Sequence, residues 1–169
     1  PWTDSEDADV VVHIGAVRDS TWVAHVLARN DRWVCAAPAY LERRGTPADP
    51  RDLLQHDCLC VRENNEDVTL RRHRRGGRSG AVRVTPTMTS NDGEVVRNWA
   101  RAGLGLMLRS QWDAGPFVKR GELRRVLAPW SFEGADILAL VPARRGISAR
   151  VTSFVDFLKS SLRSRPPGR

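Results

Sequence analysis

Cys58 and Cys60 stand two residues apart, and Cys35 stands alone upstream of them. All three fall in the stretch VCAAPAYLERRGTPADPRDLLQHDCLCV, Val34 to Val61. Structural zinc and redox pairs ordinarily use C-x-x-C, which turns both sulfurs toward one ligand. Residues at i and i+2 of a strand share a face, as any such pair does. Free cysteine is also among the most buried residue types. The spacing therefore reads as small core thiols in a reducing compartment, with no metal and no cofactor. A second chemical feature is SNDGEVV, where Ser90, Asn91 or Asp92 can cap a helix. The N–H groups of a helix start also attract anions, so capping and ligand binding are both open to these residues. A third is Arg109, after LGLML. It can take a carboxylate ligand or stand in solvent as one arginine among many, and both readings stay open. His13 reads as a structural residue.

No catalytic constellation is visible. No serine sits in a nucleophile-elbow context, no H-x-x-x-H pair occurs, and no glycine-rich phosphate loop is present. AGLGL follows a helical pattern, so it reads as a helix stop, not a dinucleotide fingerprint. The chain is expected not to be an enzyme.

Composition narrows the class further. Over 169 residues the chain is 41% hydrophobic and 28% charged, a globular balance. Net charge is +7, and of its 27 basic residues only Lys119 and Lys159 are lysine. Such a balance favours anionic partners, yet the charges are scattered, apart from the tail and one run. That run is Arg71, Arg72, Arg74, Arg75 and Arg78. No aromatic residues interleave as stacking platforms, so the favoured reading is a solvated edge hairpin. The acidic N-terminus offers no basic n-region, and no apolar run reaches membrane-spanning length. A start at Pro1 without Met is expected of a fragment.

The elements that must position these residues follow from local pattern. ADVVVHIG is a buried strand closed by glycine, RWVCAAP a second, DCLCVR a third, LGLML a fourth and DILALVP a fifth. AYLERRG is a short helix stopped by Gly45, and TPADPRDLLQH a loop with one or two helical turns capped near Asp49 or Pro50. GGRSG is the turn of the arginine hairpin. Val95, Val96, Trp99 and Ala102 line one face of the helix after Ser90, and Val151, Phe154, Val155 and Leu158 form the inner stripe of the last helix. Strands alternate with helices, so the class is α/β.

This order of pieces resembles the effector-binding domain of LysR-type transcriptional regulators. DVVVHIG is similar to the family's D-hydrophobic-A-I-R-I-G strand. VCAAPAYLERRGTPADPRDLLQHDCL is similar to its C-A-S-P-x-Y-L block, the most specific match. SNDGEVVRNWARAGLGL, GELRRVLAPW and SARVTSFVDFL come after it in the family's order. The resemblance implies two Rossmann-like lobes of the type 2 periplasmic-binding-protein kind, joined by two crossover strands. The first lobe, 1–32 with 125–163, is expected to be incomplete; the second is 33–124; 164–169 is a flexible tail. The DNA-binding winged helix-turn-helix is absent from this sequence. Thr69 stands where many members place Trp, and Arg109 where many place Pro, which leaves effector preference open.

The resemblance also implies a small, anionic effector held between lobes by Ile14, Gly15, Ser90, Asn91, Asp92, Leu108 and Arg109. It implies a cytoplasmic regulator that acts as a homo-oligomer, dimer or tetramer, touching DNA only through its missing N-terminal domain and touching no membrane. In the dimer the helix from Asp92 to Ala102 and its neighbouring strand supply part of each contact. The alternative is a solute-binding protein of the same fold.

Overall fold

The structure is a computed structural model, and it describes residues 8–15, 17, 21–62, 67–143 and 148–163. The expected tail, 164–169, lies outside the described residues. The chain divides into two compact units, Pro1–Asn30 with Gly134–Pro167, and Asp31–Glu133. The second boundary falls beyond the expected 124/125, because the strands at Arg124–Val126 and Ser131–Phe132 pair inside the second unit.

Unit 2 is built on a five-stranded sheet. Its strands are β3 (Arg32–Ala36), β4 (Cys58–Val61), β7 (Pro86–Ser90), β8 (Leu106–Ser110) and β9 (Arg124–Val126), in the order β7-β4-β8-β3-β9. β4 runs parallel to β7 and β8, while β3 is antiparallel to β8 and β9. Alternation along each strand sends side chains to two cores. Val34, Ala36, Cys58, Cys60 and Leu106 face α1 (Pro38–Arg44), the 3₁₀ segment Pro50–Gln55 and a hairpin. Cys35, Leu59 and Met107 face α2 (Gly93–Arg101) and α3 (Gln111–Lys119). With both faces covered, the strands carry near-continuous apolar runs.

Local signals place these helices. Gly45, at φ 84°, ends α1, and its N–H donates to Leu41 O at 2.9 Å. Asp49 and Asp52 form a reciprocal capping box around Pro50. Tyr40 locks this block: its hydroxyl accepts the Asp57 backbone N–H at 2.9 Å and lies 3.0 Å from His56 Nδ1.

The hairpin is β5 (Leu70–Arg75) with β6 (Arg78–Arg83), and β10 (Ser131–Phe132) pairs with β5 on the other side. Its turn is Gly76–Gly77 alone, tighter than GGRSG, with Arg75 opposite Arg78. β7 is a strand that the sequence pattern does not reveal. On α2, Ala100 takes the buried place expected of Ala102, which is exposed.

Unit 1 is a three-stranded antiparallel sheet, β1 (Val11–Ile14), β11 (Ile137–Pro142) and β2 (Trp22–Ala28), in the order β1-β11-β2. α4 (Ala149–Arg163) packs Val151 and Val155 against Leu27, Ala139 and Val141. Phe154, expected in that inner stripe, is 46% exposed, and Leu162 joins the packed residues instead. Where the chain leaves and re-enters this unit, buried Asn30 ties the two ends together. Its Nδ2 donates to Ala135 O at 2.8 Å and its backbone N–H to Asp136 Oδ1 at 3.1 Å. No helix among the described residues is long and apolar enough to cross a membrane.

Candidate functional site

Because β4, β7 and β8 are parallel, their carboxyl ends share one edge of the unit 2 sheet. β3 runs the other way, so its first residue, Arg32, lies at the same edge, opposite Ser110. α2 follows β7 and α3 follows β8, so both helices begin there. In open α/β sheets this is the edge where ligands bind. Four arginines belong to it: Arg32, Arg62 just past β4, Arg71 and Arg109.

The helix starts are already capped. Asp92 accepts the Glu94 N–H at 2.7 Å, and Ser90 Oγ accepts the Asp92 N–H at 3.0 Å. Asn91 lies exposed between them. Ser110 Oγ accepts the Trp112 N–H at 3.1 Å, capping α3. Arg109 reaches across: its Nε donates to Asp113 Oδ2 at 3.0 Å, and its guanidinium lies so close to Gly93 that a methyl group there would overlap it. Asp113 also accepts from Arg97 Nη1, while Arg97 Nη2 donates to Glu94 at 2.9 Å. The Arg97 guanidinium sits 4.8 Å from the Phe117 ring centroid. Arg109 thus has an internal carboxylate, and clamps the first turns of α2 and α3 together.

Leu108 is half-buried and packs against the core on the hairpin side. Ser90, Asn91, Asp92, Leu108 and Arg109 are therefore gathered at one edge. Ile14 and Gly15 belong to unit 1. Ile14 ends β1 and is 60% exposed, and Gly15, at φ 104°, donates its N–H to Asp136 O at 3.0 Å.

The three cysteines are free and buried. Burial pushes the Cys35 thiol up to about 12 and the Cys58 thiol to about 11, and it raises Cys60 against the opposing pull of Arg71. Neutral thiols make poor nucleophiles and poor metal ligands. Among the described residues no cluster of three or more His, Cys, Asp or Glu is arranged to hold a metal.

Sequence reasoning passes over Arg71, counting it with the solvated hairpin. It is half-buried, and its Nη2 donates to Cys60 Sγ at 3.1 Å. Its registry partner is Val82, a core residue. The parity of Val82 and Val84 against their exposed neighbours is the signal that reveals it.

A two-unit α/β chain with one strand–helix edge rich in arginine has the character of a ligand-binding domain. The family profile described as LysR substrate binding domain matches residues 2–163, and the chain belongs to that family. Its fold is accordingly of the type 2 periplasmic-binding-protein kind. It is 35% identical over 162 residues to the HTH-type transcriptional activator TtdR of Escherichia coli strain UTI89, covering 95% of this chain and 51% of that protein. It is 31% identical to the HTH-type transcriptional regulator DmlR of Escherichia coli K12, covering 96% and 53%. The full-length virulence activator AphB of Vibrio cholerae superposes with a TM-score of 0.74 at 25% identity, over 90% of this chain and 51% of that one. The chain spans about half the length of these relatives.

Proposed function

We propose that this chain is the effector-binding domain of a cytoplasmic LysR-type transcriptional regulator, and that its effector is a small anion, a carboxylate foremost. The single observation behind this is the carboxyl edge of the unit 2 sheet. Two helix N-termini and four arginines meet there, while Asp113 is engaged by Arg109 and Asp92 by the first turn of α2. Oriented N–H dipoles and guanidinium forks both favour an anion. In the whole protein, binding here adjusts how a separate DNA-binding domain and its homo-oligomeric partners engage DNA. The alternative of a solute-binding protein draws no support from relatives named as HTH-type regulators. The test is calorimetry on this chain with a panel of aliphatic and aromatic acids beside their neutral amides. At least one acid is expected to bind, more weakly as salt rises. Preference for the amides would overturn the reading.

A further inference from the structure

Arg71 stands apart from the other cations of this edge. Arg109 has Asp113, and the hairpin's Arg72 and Arg83 have Glu133 and Asp67. Arg71 has no carboxylate within salt-bridge distance among the described residues, and its side chain donates to the sulfur of Cys60. A thiol is a weak acceptor, and this one is neutral, since burial raises its pKa. A cation withdrawn from water without a counter-charge is costly. The field around it makes matters worse. Arg32 acts on Arg71 as a like charge, and Arg62 acts on Cys60 from the strand end. Neither Arg32 nor Arg62 has a carboxylate partner among the described residues. The fold keeps Arg71 against this thiol next to the carboxyl end of β4, with Arg62 acting on the thiol and Arg32 on Arg71 itself, and without an internal anion among the described residues.

We infer that Arg71, held against Cys60 and flanked by Arg32 and Arg62, is the cation that receives the anionic group of the ligand, an oxyanion such as a carboxylate or sulfate. This deepens the effector-binding reading and rests on it. It moves the principal contact away from Arg109, whose charge Asp113 already meets. The hydrogen-bonding fork of a guanidinium suits two oxygens of one carboxylate. The Cys60 sulfur fixes one arm of that fork, leaving the remaining donors to the ligand.

The probe is inorganic sulfate, titrated into the 169-residue chain at constant ionic strength with chloride as the balancing ion. Melting temperature and calorimetric affinity are read for wild type, Arg71→Gln, Arg71→Lys, Arg62→Gln and Arg78→Gln. Arg78→Gln removes the same charge from the exposed hairpin tip, and is expected to bind like wild type. Arg71→Gln is expected to lose about ten- to a hundred-fold in affinity, the worth of one charge-assisted hydrogen bond. Arg71→Lys, which keeps the charge and loses the fork, falls between, and Arg62→Gln loses several-fold without touching a buried group. If wild type shows no sulfate-specific binding, the anion-binding reading itself falls. If wild type binds and Arg71→Gln and Arg62→Gln bind within two-fold of Arg78→Gln, only this assignment falls. Should Arg71→Gln not fold, Arg62→Gln decides alone by the same margin. A Glu63→Gln, Glu66→Gln variant checks the carboxylates next in sequence to Arg62. Ten-fold tighter sulfate binding by it would mean that they already meet the Arg71 charge, and would also overturn the assignment.

Discussion

Both units are built on apolar strands, and they finish with opposite degrees of cover. In unit 2, β3, β4 and β8 lie between two cores, and Cys35, Ala36, Cys60 and Met107 are wholly excluded from solvent. Among the described residues of unit 1 only β11 reaches that state, through Ala139 and Leu140. Its neighbours carry Val12, Ile14, Val23 and Val26 exposed. The difference lies in the elements that succeed each strand. Unit 2 alternates strand and helix, so each face receives helices or a hairpin. Unit 1 has one described helix, α4, which covers Leu27, Ala139 and Val141. Apolar character in a strand therefore says only that it is fit for burial. Whether it is buried depends on elements elsewhere in the chain.

Substitutions at matched apolar positions break or sharpen that contrast. The largest effect is expected at Leu59, 1% exposed and packed among Val96, Ala100 and Met107. Leu59→Ala removes its packing and leaves a cavity, so stability should fall by about 2–5 kcal/mol. Urea denaturation followed by tryptophan fluorescence measures it. A loss below about 1 kcal/mol would mean that the unit 2 core is loosely filled.

Next in size is Tyr40→Phe. The ring stays, but the Asp57 N–H loses the acceptor it holds at 2.9 Å. Leaving a fully buried donor unpaired costs about 1–3 kcal/mol, which is the upper bound for this half-buried one. The same denaturation experiment reads it, and an unchanged midpoint would show that water replaces the hydroxyl.

His56, on the other side of that hydroxyl, gives a pH dependence. Burial first, then the Arg44 charge, holds its pKa below the ordinary histidine value, against a weaker opposing pull from Asp52 and Asp57. The folded state thus binds a proton less readily than the unfolded chain. Its contribution is complete above the ordinary value of about 6.5 and is lost as pH falls through the lower folded value. Midpoints measured from about pH 7.5 downward should decline below about 6.5, and His56→Gln should flatten that part of the curve. A curve unchanged by the substitution would assign the acid sensitivity elsewhere.

The part of the fold that could be read from sequence is the part fixed by near neighbours. The block from Val34 to Val61 carries its own punctuation: Pro38 opening α1, Gly45 closing it, Asp49 and Asp52 capping the next turn. β7 escapes such reading because PTMTS alternates Thr and Met behind a proline, with no apolar run to mark it. It is a strand because its backbone bonds to β4, with Leu59 beside Met88, and that pairing is not local. The same holds at the candidate site. Ser90 and Asp92 announce a helix start within three residues. Asp113, four residues after Arg109, meets it across the junction of β8 and α3, a partnership that sequence spacing hints at without proving. Arg71 is hidden by its company. Within a run of arginines, one inward-facing member is distinguishable only when the hairpin register is known.

The smallest effect is expected in unit 1, at the open strand. β1 has β11 on one side and no described strand on the other. Val12 is 54% exposed and Ile14 60%, so neither has much burial to lose. Val12→Lys and Ile14→Ser should each change stability by no more than about 0.5 kcal/mol, the ordinary range for surface positions. Their effect should appear in self-association instead. A bare strand edge bearing apolar side chains is a template for pairing with another copy, and a lysine on it is a common defence. Light scattering against concentration is expected to fall for Val12→Lys while its denaturation midpoint stays put. A loss of about 2 kcal/mol or more in either variant, the scale of a lost core contact, would show that β1 is covered in this chain, and the contrast between the two units would not hold.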